Sequence, residues 1–193
     1  MNTKNNLRYR QNEAKIQSCF ISLLDTTDID HITVRMICEM TGIHRSTFYA
    51  HFEDIYDLLH KTESAMNASL YTEISAFMKE KNFFHNPAFY LCFLTFMKKH
   101  RTFYHACLQK RNSFPIAEGF ERLFKEVIKP SCLQNGISNE EEMLYYFTFY
   151  QAGITMIYKR WIDGGCKEPA ESIAKLIVRC IIFNPCTKSN TIS

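Results

Sequence analysis

Apolar side chains recur along the chain at helical intervals, and glycine and proline punctuate the runs. Ile16, Phe20, Leu23 and Leu24 share one face of a first predicted helix, from about Leu7 to Leu24. The polar stretch Asp25 to Asp30 ends it. Two short helices follow, Thr33–Met40 and His44–Phe52, joined by Thr41-Gly42-Ile43, and a long helix is expected from about Asp54 to Glu80. Asn86-Pro87 reads as an N-cap followed by proline at the first helical position, with Pro115 and Pro169 placed to do the same. Ser138 through Glu141 fits a capping box, and Gly136 and Gly164-Gly165 suit helix ends. Helices are therefore expected near 87–109, interrupted around Arg101, and at 115–134, 138–163 and 169–183. No stretch alternates with period 2, so the expected fold is all-α.

Composition divides the chain. Of its 16 Phe, 10 Tyr and 1 Trp, only six lie in residues 1–60. A small N-terminal three-helix unit (1–53) would carry a larger, aromatic-rich helical body (54–184), with a polar tail at 185–193. The 23 Lys+Arg against 20 Asp+Glu leave a net charge of +3. That surplus does not sit in the small unit. Residues 1–60 hold six basic and eight acidic side chains, the remainder 17 and 12.

Met1 to Glu13 shows no apolar signal region, and the charge-free run Met143 to Tyr158 falls short of the roughly 18–20 residues that span a bilayer. No membrane partner is expected. The eight cysteines include no C-x-x-C pair and are expected to be reduced thiols in a cytoplasm. No Gly-rich phosphate loop, nucleophile elbow or paired acid–base motif marks an enzyme, and no cofactor is implied. His100, His105 and Cys107 are spaced by 5 and 2, which does not place metal ligands on one helical face. Redox sensing through the thiols lacks an evident low-pKa setting.

The informative segment is Thr33 to Phe52. Val34, Ile37, Cys38 and Thr41 follow i, i+3, i+4, i+7 spacing and should face inward, as should Phe48 and Phe52. Cys38 suits a close helix approach, Gly42 a sharp turn, and Ile43 the corner. What remains on the second short helix is His44, Arg45, Ser46, Thr47, Tyr49 and His51. Arginine pairs with guanine, hydroxyls reach bases or phosphates, and tyrosine donates to phosphate, so this face suits the major groove. The competing reading is a solvated polar face.

This segment, with the Thr-Gly-Ile-His-Arg-Ser-Thr-Phe-Tyr-Ala-His-Phe-Glu-Asp run of residues 41–54, resembles the helix-turn-helix signature of TetR-type transcriptional regulators. The match is dense over about residues 10–60. The resemblance implies that Thr33 binds phosphate and that Arg35 reaches a base or the backbone. It also implies that Arg45, Ser46 and Thr47 meet base edges or phosphates, and that Tyr49 and His51 anchor the backbone. His44 stands where a small N-capping residue is common. Ile55 stands where the family usually has a lysine, so a phosphate clamp is missing, and Tyr56 replaces only its hydrogen bond. The stretches Trp161 to Cys166 and Glu168 to Ile173 are similar to TetR-like regulators that include dihydroxyacetone-kinase operon activators.

Further expectations concern the body. Met143, Phe147, Tyr150, Ile154, Ile157 and Trp161 form a seam at helical steps, and Ile173, Ile177, Cys180 and Asn184 another, widened by Leu176 and Ile181. With Gly153 allowing close approach, Tyr150, Ile154, Ile157, Trp161, Ile173, Ile177 and Ile181 are the candidate dimer interface. Phe93, Phe96, Phe103, Tyr104, Phe120 and Phe124 are candidates to line an apolar effector pocket, against the alternative that they are ordinary core. The expected function is a homodimeric repressor that binds a palindromic double-stranded DNA operator and responds to a small-molecule effector. The rival is a TetR-like co-regulator that acts through a protein partner and binds DNA weakly.

Overall fold

A computed structural model of the chain describes residues 3–80, 83–109, 124–134 and 136–182. Among these residues all regular structure is helical: α1 (Thr3–Leu23), α2 (Val34–Thr41), α3 (Arg45–Tyr49), α4 (Ile55–Ile74), α5 (Pro87–Lys99), α6 (Arg101–Gln109), α7 (Lys129–Gln134), α8 (Glu140–Asp163) and α9 (Ala170–Ile182). No helix among them is long and apolar enough to cross a membrane. The chain divides into two compact units, Met1–Met66 and Asn67–Ser193, with the division inside α4.

In the first unit α1 packs on α2 and α2 on α3. Ile16, Phe20, Ile37, Phe48 and Leu58 are completely buried, with Phe52 at 1% exposure. These are the residues the i, i+3/i+4 spacing turns inward, and their burial is what holds helices this short in place. The corner between α2 and α3 has a local cause. Gly42 takes φ 68, a left-handed conformation that costs a side chain dearly, and its amide donates to the Cys38 carbonyl. The Thr41 hydroxyl then donates to the Ile37 carbonyl and accepts from the Ile43 amide, which satisfies the polar groups of the turn.

In the second unit α9 lies against α5, and α6 against α8. Asn86 caps α5 by accepting from the Ala88 amide, ahead of Pro87. Helix α8 ends in a Schellman turn, in which the Cys166 amide donates to the Trp161 carbonyl and the Gly165 amide to that of Ile162. Gly165 supplies the positive φ of 81.

Several helix bounds can be set against the sequence expectation. The cap of α8 is Asn139, whose side chain accepts from the amides of Glu141 and Glu142. The helix therefore begins one residue later than a Ser138 cap would place it. Helix α4 stops at Ile74 rather than Glu80. A short 3-10 turn, Phe77–Lys79, follows and sets Phe77 edge-on to Phe89, 6.4 Å away. The interruption expected around Arg101 within the 87–109 run is present, with His100 between α5 and α6. Of the helix expected at 115–134, the described part opens with a π-helical turn, Phe124–Ile128, before α7. Pro115 and Phe120 lie outside the described residues.

Candidate nucleic-acid interface

The polar face of α2 and α3 is built by capping as much as by spacing. Thr33 is extended (φ −121, ψ 153) and its hydroxyl accepts from the Met36 amide, so α2 starts there and the Thr33 side chain is held at its exposed N-terminus. One turn on, Arg35 is exposed and its Nε lies 2.7 Å from the Glu39 carboxylate. That carboxylate raises the guanidinium pKa above its ordinary value. His44 occupies the N-cap of α3 without a side-chain capping bond. His44, Arg45, Ser46 and Tyr49 are exposed and Thr47 is half-buried, while Phe48 between them is fully buried. The structure thus brings Thr33, Arg35, His44, Arg45, Ser46, Thr47 and Tyr49 to solvent on neighbouring helices.

His51 is placed differently. It is 6% exposed and packed beneath Tyr9, with ring centroids 3.9 Å apart and the planes tilted by 37°, and its Nδ1 has no hydrogen-bond partner. Burial lowers its pKa, Glu13 opposes the shift, and Lys61 adds to it. Its side chain is turned away from the exposed row because the same turn must bury Phe52 beside it. Ile55 also faces inward, at 8% exposure. The position that carries the family lysine is a core plug here, and Tyr56, exposed beside it, donates from its hydroxyl to Asp30 at 3.3 Å.

The acidic excess of this unit is largely engaged locally. Asp28 accepts from the Asp30 amide, Asp30 from Tyr56, and Asp57 from both the Glu53 amide and Lys61. The Glu53 amide first, and the Lys61 ammonium second, hold the Asp57 carboxyl below its usual range. Tyr9, Asp57 and Lys61 are contributors that the reading by motif passed over. The i, i+4 spacing of Asp57 and Lys61 was the available signal.

In the second unit Phe93, Phe96, Phe103 and Tyr104 are buried and Phe124 half-buried. They fall into three ring contacts: Phe96 and Phe103 pack edge-on to Tyr104, Phe93 stacks on Tyr158 at 5.0 Å, and Phe124 meets Phe147. Tyr90, 1% exposed, presents a hydroxyl with no hydrogen-bond partner, and burial drives its pKa far above the ordinary tyrosine value.

On α8, Trp161 is buried, its Nε1 donating to the Glu168 carbonyl. Tyr150, Ile154 and Ile157 are half-buried. Ile177 of α9 is fully buried, with Ile173 and Ile181 half-buried. The seam singled out by spacing is thus buried at Trp161 and Ile177 and half-exposed elsewhere. The exposed face of α8 lies on the other side and carries Leu144, Tyr145, Phe149, Ala152, Gly153 and Met156. Tyr145 is 79% and Phe149 67% exposed. Among the described residues no three His, Cys, Asp or Glu side chains gather as a metal site.

Comparison with known proteins matches this architecture. A family model described as the C-terminal region of transcriptional regulators, of the TetR type, covers residues 85–182, just over half of the chain. The chain belongs to the TetR-type transcriptional regulators. It is 25% identical over 129 residues to an uncharacterized HTH-type transcriptional regulator, YxbF of Bacillus subtilis (strain 168). That match takes in 63% of this chain but 31% of YxbF, so the chain spans about a third of the length of that curated relative. Two solved structures share the fold. The fatty acid degradation regulator FadR of Bacillus halodurans superposes with a TM-score of 0.67 at 12% identity, over 90% of this chain and 95% of its own. The dihydroxyacetone kinase operon activator DhaS gives 0.50 at 18%, over 88% and 93%.

Proposed function

We propose that the chain is a DNA-binding repressor that reads a palindromic operator as a homodimer and is released by a small apolar effector. The observation that carries this reading is the exposed row Arg45, Ser46 and Tyr49 on a helix whose opposite side, Phe48, is fully buried. A solvated hairpin needs polar residues there but not a guanidinium, hydroxyls and a 57% exposed phenol together on one short helix. One such helix covers too little surface for operator specificity, so two copies about 34 Å apart are required.

The face of α8 supplies the means. Tyr145, Phe149 and Met156 form an exposed apolar stripe on a helix whose other side is core, and Gly153, with nothing within 4 Å of where a Cβ would stand, leaves room for a partner helix. The interface is thereby assigned to this stripe, with Tyr150, Ile154 and Ile157 at its margins. The effector is assigned to the aromatic interior around Tyr90, Phe93 and Tyr158. The unpartnered Tyr90 hydroxyl suits a ligand with one accepting oxygen on an apolar body. A ligand that favours one dimer geometry shifts operator affinity by its differential binding.

A second reading has its own observation. Ile55 is buried where a phosphate-binding lysine would stand, which favours a co-regulator that works through a protein partner and grips DNA weakly. Selection of bound fragments from random duplex DNA at low salt decides between the two. The repressor reading expects an enriched palindrome that Arg45→Ala and Tyr49→Ala abolish, and a dimer in solution that Phe149→Asp converts to a folded monomer. No enrichment would favour the co-regulator.

A further inference from the structure

The recognition segment of α3 is one turn long, and a helix of five residues does not hold its own direction. Phe48 and Phe52 bury its inner side, but apolar plugs fix depth better than rotation, because dispersion contacts carry little directional preference. Directional bonds come from the neighbouring helices. The Tyr9 hydroxyl of α1 donates to the Ala50 carbonyl at 3.3 Å. The Lys61 ammonium of α4 donates to the His51 carbonyl at 2.9 Å and to Asp57 Oδ2 at 2.9 Å. The same Asp57 Oδ2 accepts from the Glu53 amide at 2.9 Å, and Lys61 Nζ lies 5.4 Å from the centre of the Phe52 ring.

We propose that Lys61 and Asp57 form a latch that sets the rotation of the recognition helix, Lys61 acting as a positioning residue for DNA reading and not as a DNA contact. The inference rests on the DNA-binding reading above. Two of the three ammonium donors are engaged by the His51 carbonyl and the Asp57 carboxylate, and that carboxylate neutralises the charge a phosphate would seek. A cation at the carbonyl end of α3 also complements the helix dipole. Both latch residues lie in the first turns of α4, and their bonds end on the His51 carbonyl and the Glu53 amide.

Lys61 is partly exposed, so Lys61→Met removes the latch without opening the core. Binding of the full-length protein is measured by fluorescence anisotropy on the selected operator and on a scrambled duplex of the same composition, across a salt series. The expected result for Lys61→Met is a roughly tenfold loss on the operator, little change on the scrambled duplex, and an unchanged salt slope. Lys61→Arg, which bridges the same carbonyl and carboxylate, restores most of the loss. An equal loss on both duplexes with a salt slope lower by about 1 would show a phosphate contact and overturn the latch. Unchanged operator affinity would overturn it too. Hydrogen exchange reads the latch without DNA: Lys61→Met should expose the amides of residues 51–53 and leave those of Ile16 to Phe20 protected. If no duplex is bound specifically, the DNA reading fails by itself, and unaltered exchange at 51–53 would then remove the latch independently.

Discussion

Tyr9 lies over His51 with ring centroids 3.9 Å apart, and its hydroxyl reaches past the ring to the Ala50 carbonyl. A residue of the first helix thereby shields the histidine that follows the recognition helix and holds the end of that helix. The contact makes His51 a packing residue whose charge state matters for folding.

His51 therefore predicts a pH dependence. Burial holds its folded pKa below the ordinary histidine value of 6.5, so the unfolded chain takes up the proton first. The stability contributed by neutral His51 is complete above that value and is lost as pH falls from it down through the lower folded pKa. His100 in the second unit shifts in the same direction, mainly by burial, so the test must isolate His51. Urea denaturation of the wild type and His51→Gln from pH 7.5 to 5 should show the wild type losing more stability. Parallel pH profiles would contradict the assignment.

Arg35 and Glu39 make an exposed pair on α2, at 72% and 61% side-chain exposure. Such a pair adds little to stability, but the carboxylate competes with phosphate for the guanidinium. Glu39→Gln should tighten binding to any duplex several-fold at low salt and steepen the salt dependence by up to about 1 in slope. Chemical stability should stay within about 0.5 kcal/mol of wild type. Anisotropy titrations at two salt concentrations check the first outcome, urea midpoints the second.

Restoring the family lysine at position 55 should not strengthen DNA binding here. Ile55 is 8% exposed, so Ile55→Lys removes a buried apolar side chain and forces an ammonium to escape the core. A loss of about 1–3 kcal/mol is expected from the transfer and desolvation costs together. Denaturation and operator titration of the same preparation check it; unchanged stability with tighter binding would show that position 55 reaches the duplex.

Tyr90→Phe deletes a hydroxyl that is buried and makes no hydrogen bond. Removing it should raise stability by up to about 1 kcal/mol, because the desolvation cost of an unsatisfied group disappears while the packing volume is nearly kept. The urea midpoint is the readout. A clear destabilisation would mean that the hydroxyl has a partner in solution.

Much of the helix-turn-helix was legible because its determinants are local. The spacing of Ile37, Thr41, Phe48 and Phe52 and the turn at Gly42 lie within twenty residues, and each acts on its immediate neighbours. Capping at Asn86 and the glycine end of α8 were readable for the same reason. The position of Asn139 rather than Ser138 as the cap shows the limit, since two adjacent residues of equal capping ability are separated only by which one the chain leaves extended.

Local sequence by itself therefore determined that the chain is helical, that it carries a helix-turn-helix, and which polar side chains crown the second short helix. Tertiary structure decided which of two faces of a helix is buried. His51 turned under Tyr9, Ile55 turned into the core, and the spaced seam of α8 is buried at Trp161 but half-exposed at Tyr150, Ile154 and Ile157, with Tyr145 and Phe149 fully outside. An aromatic helix such as α8 has apolar residues on nearly every side, so periodicity marks several candidate stripes. Only the neighbouring elements that remove surface from water select one of them.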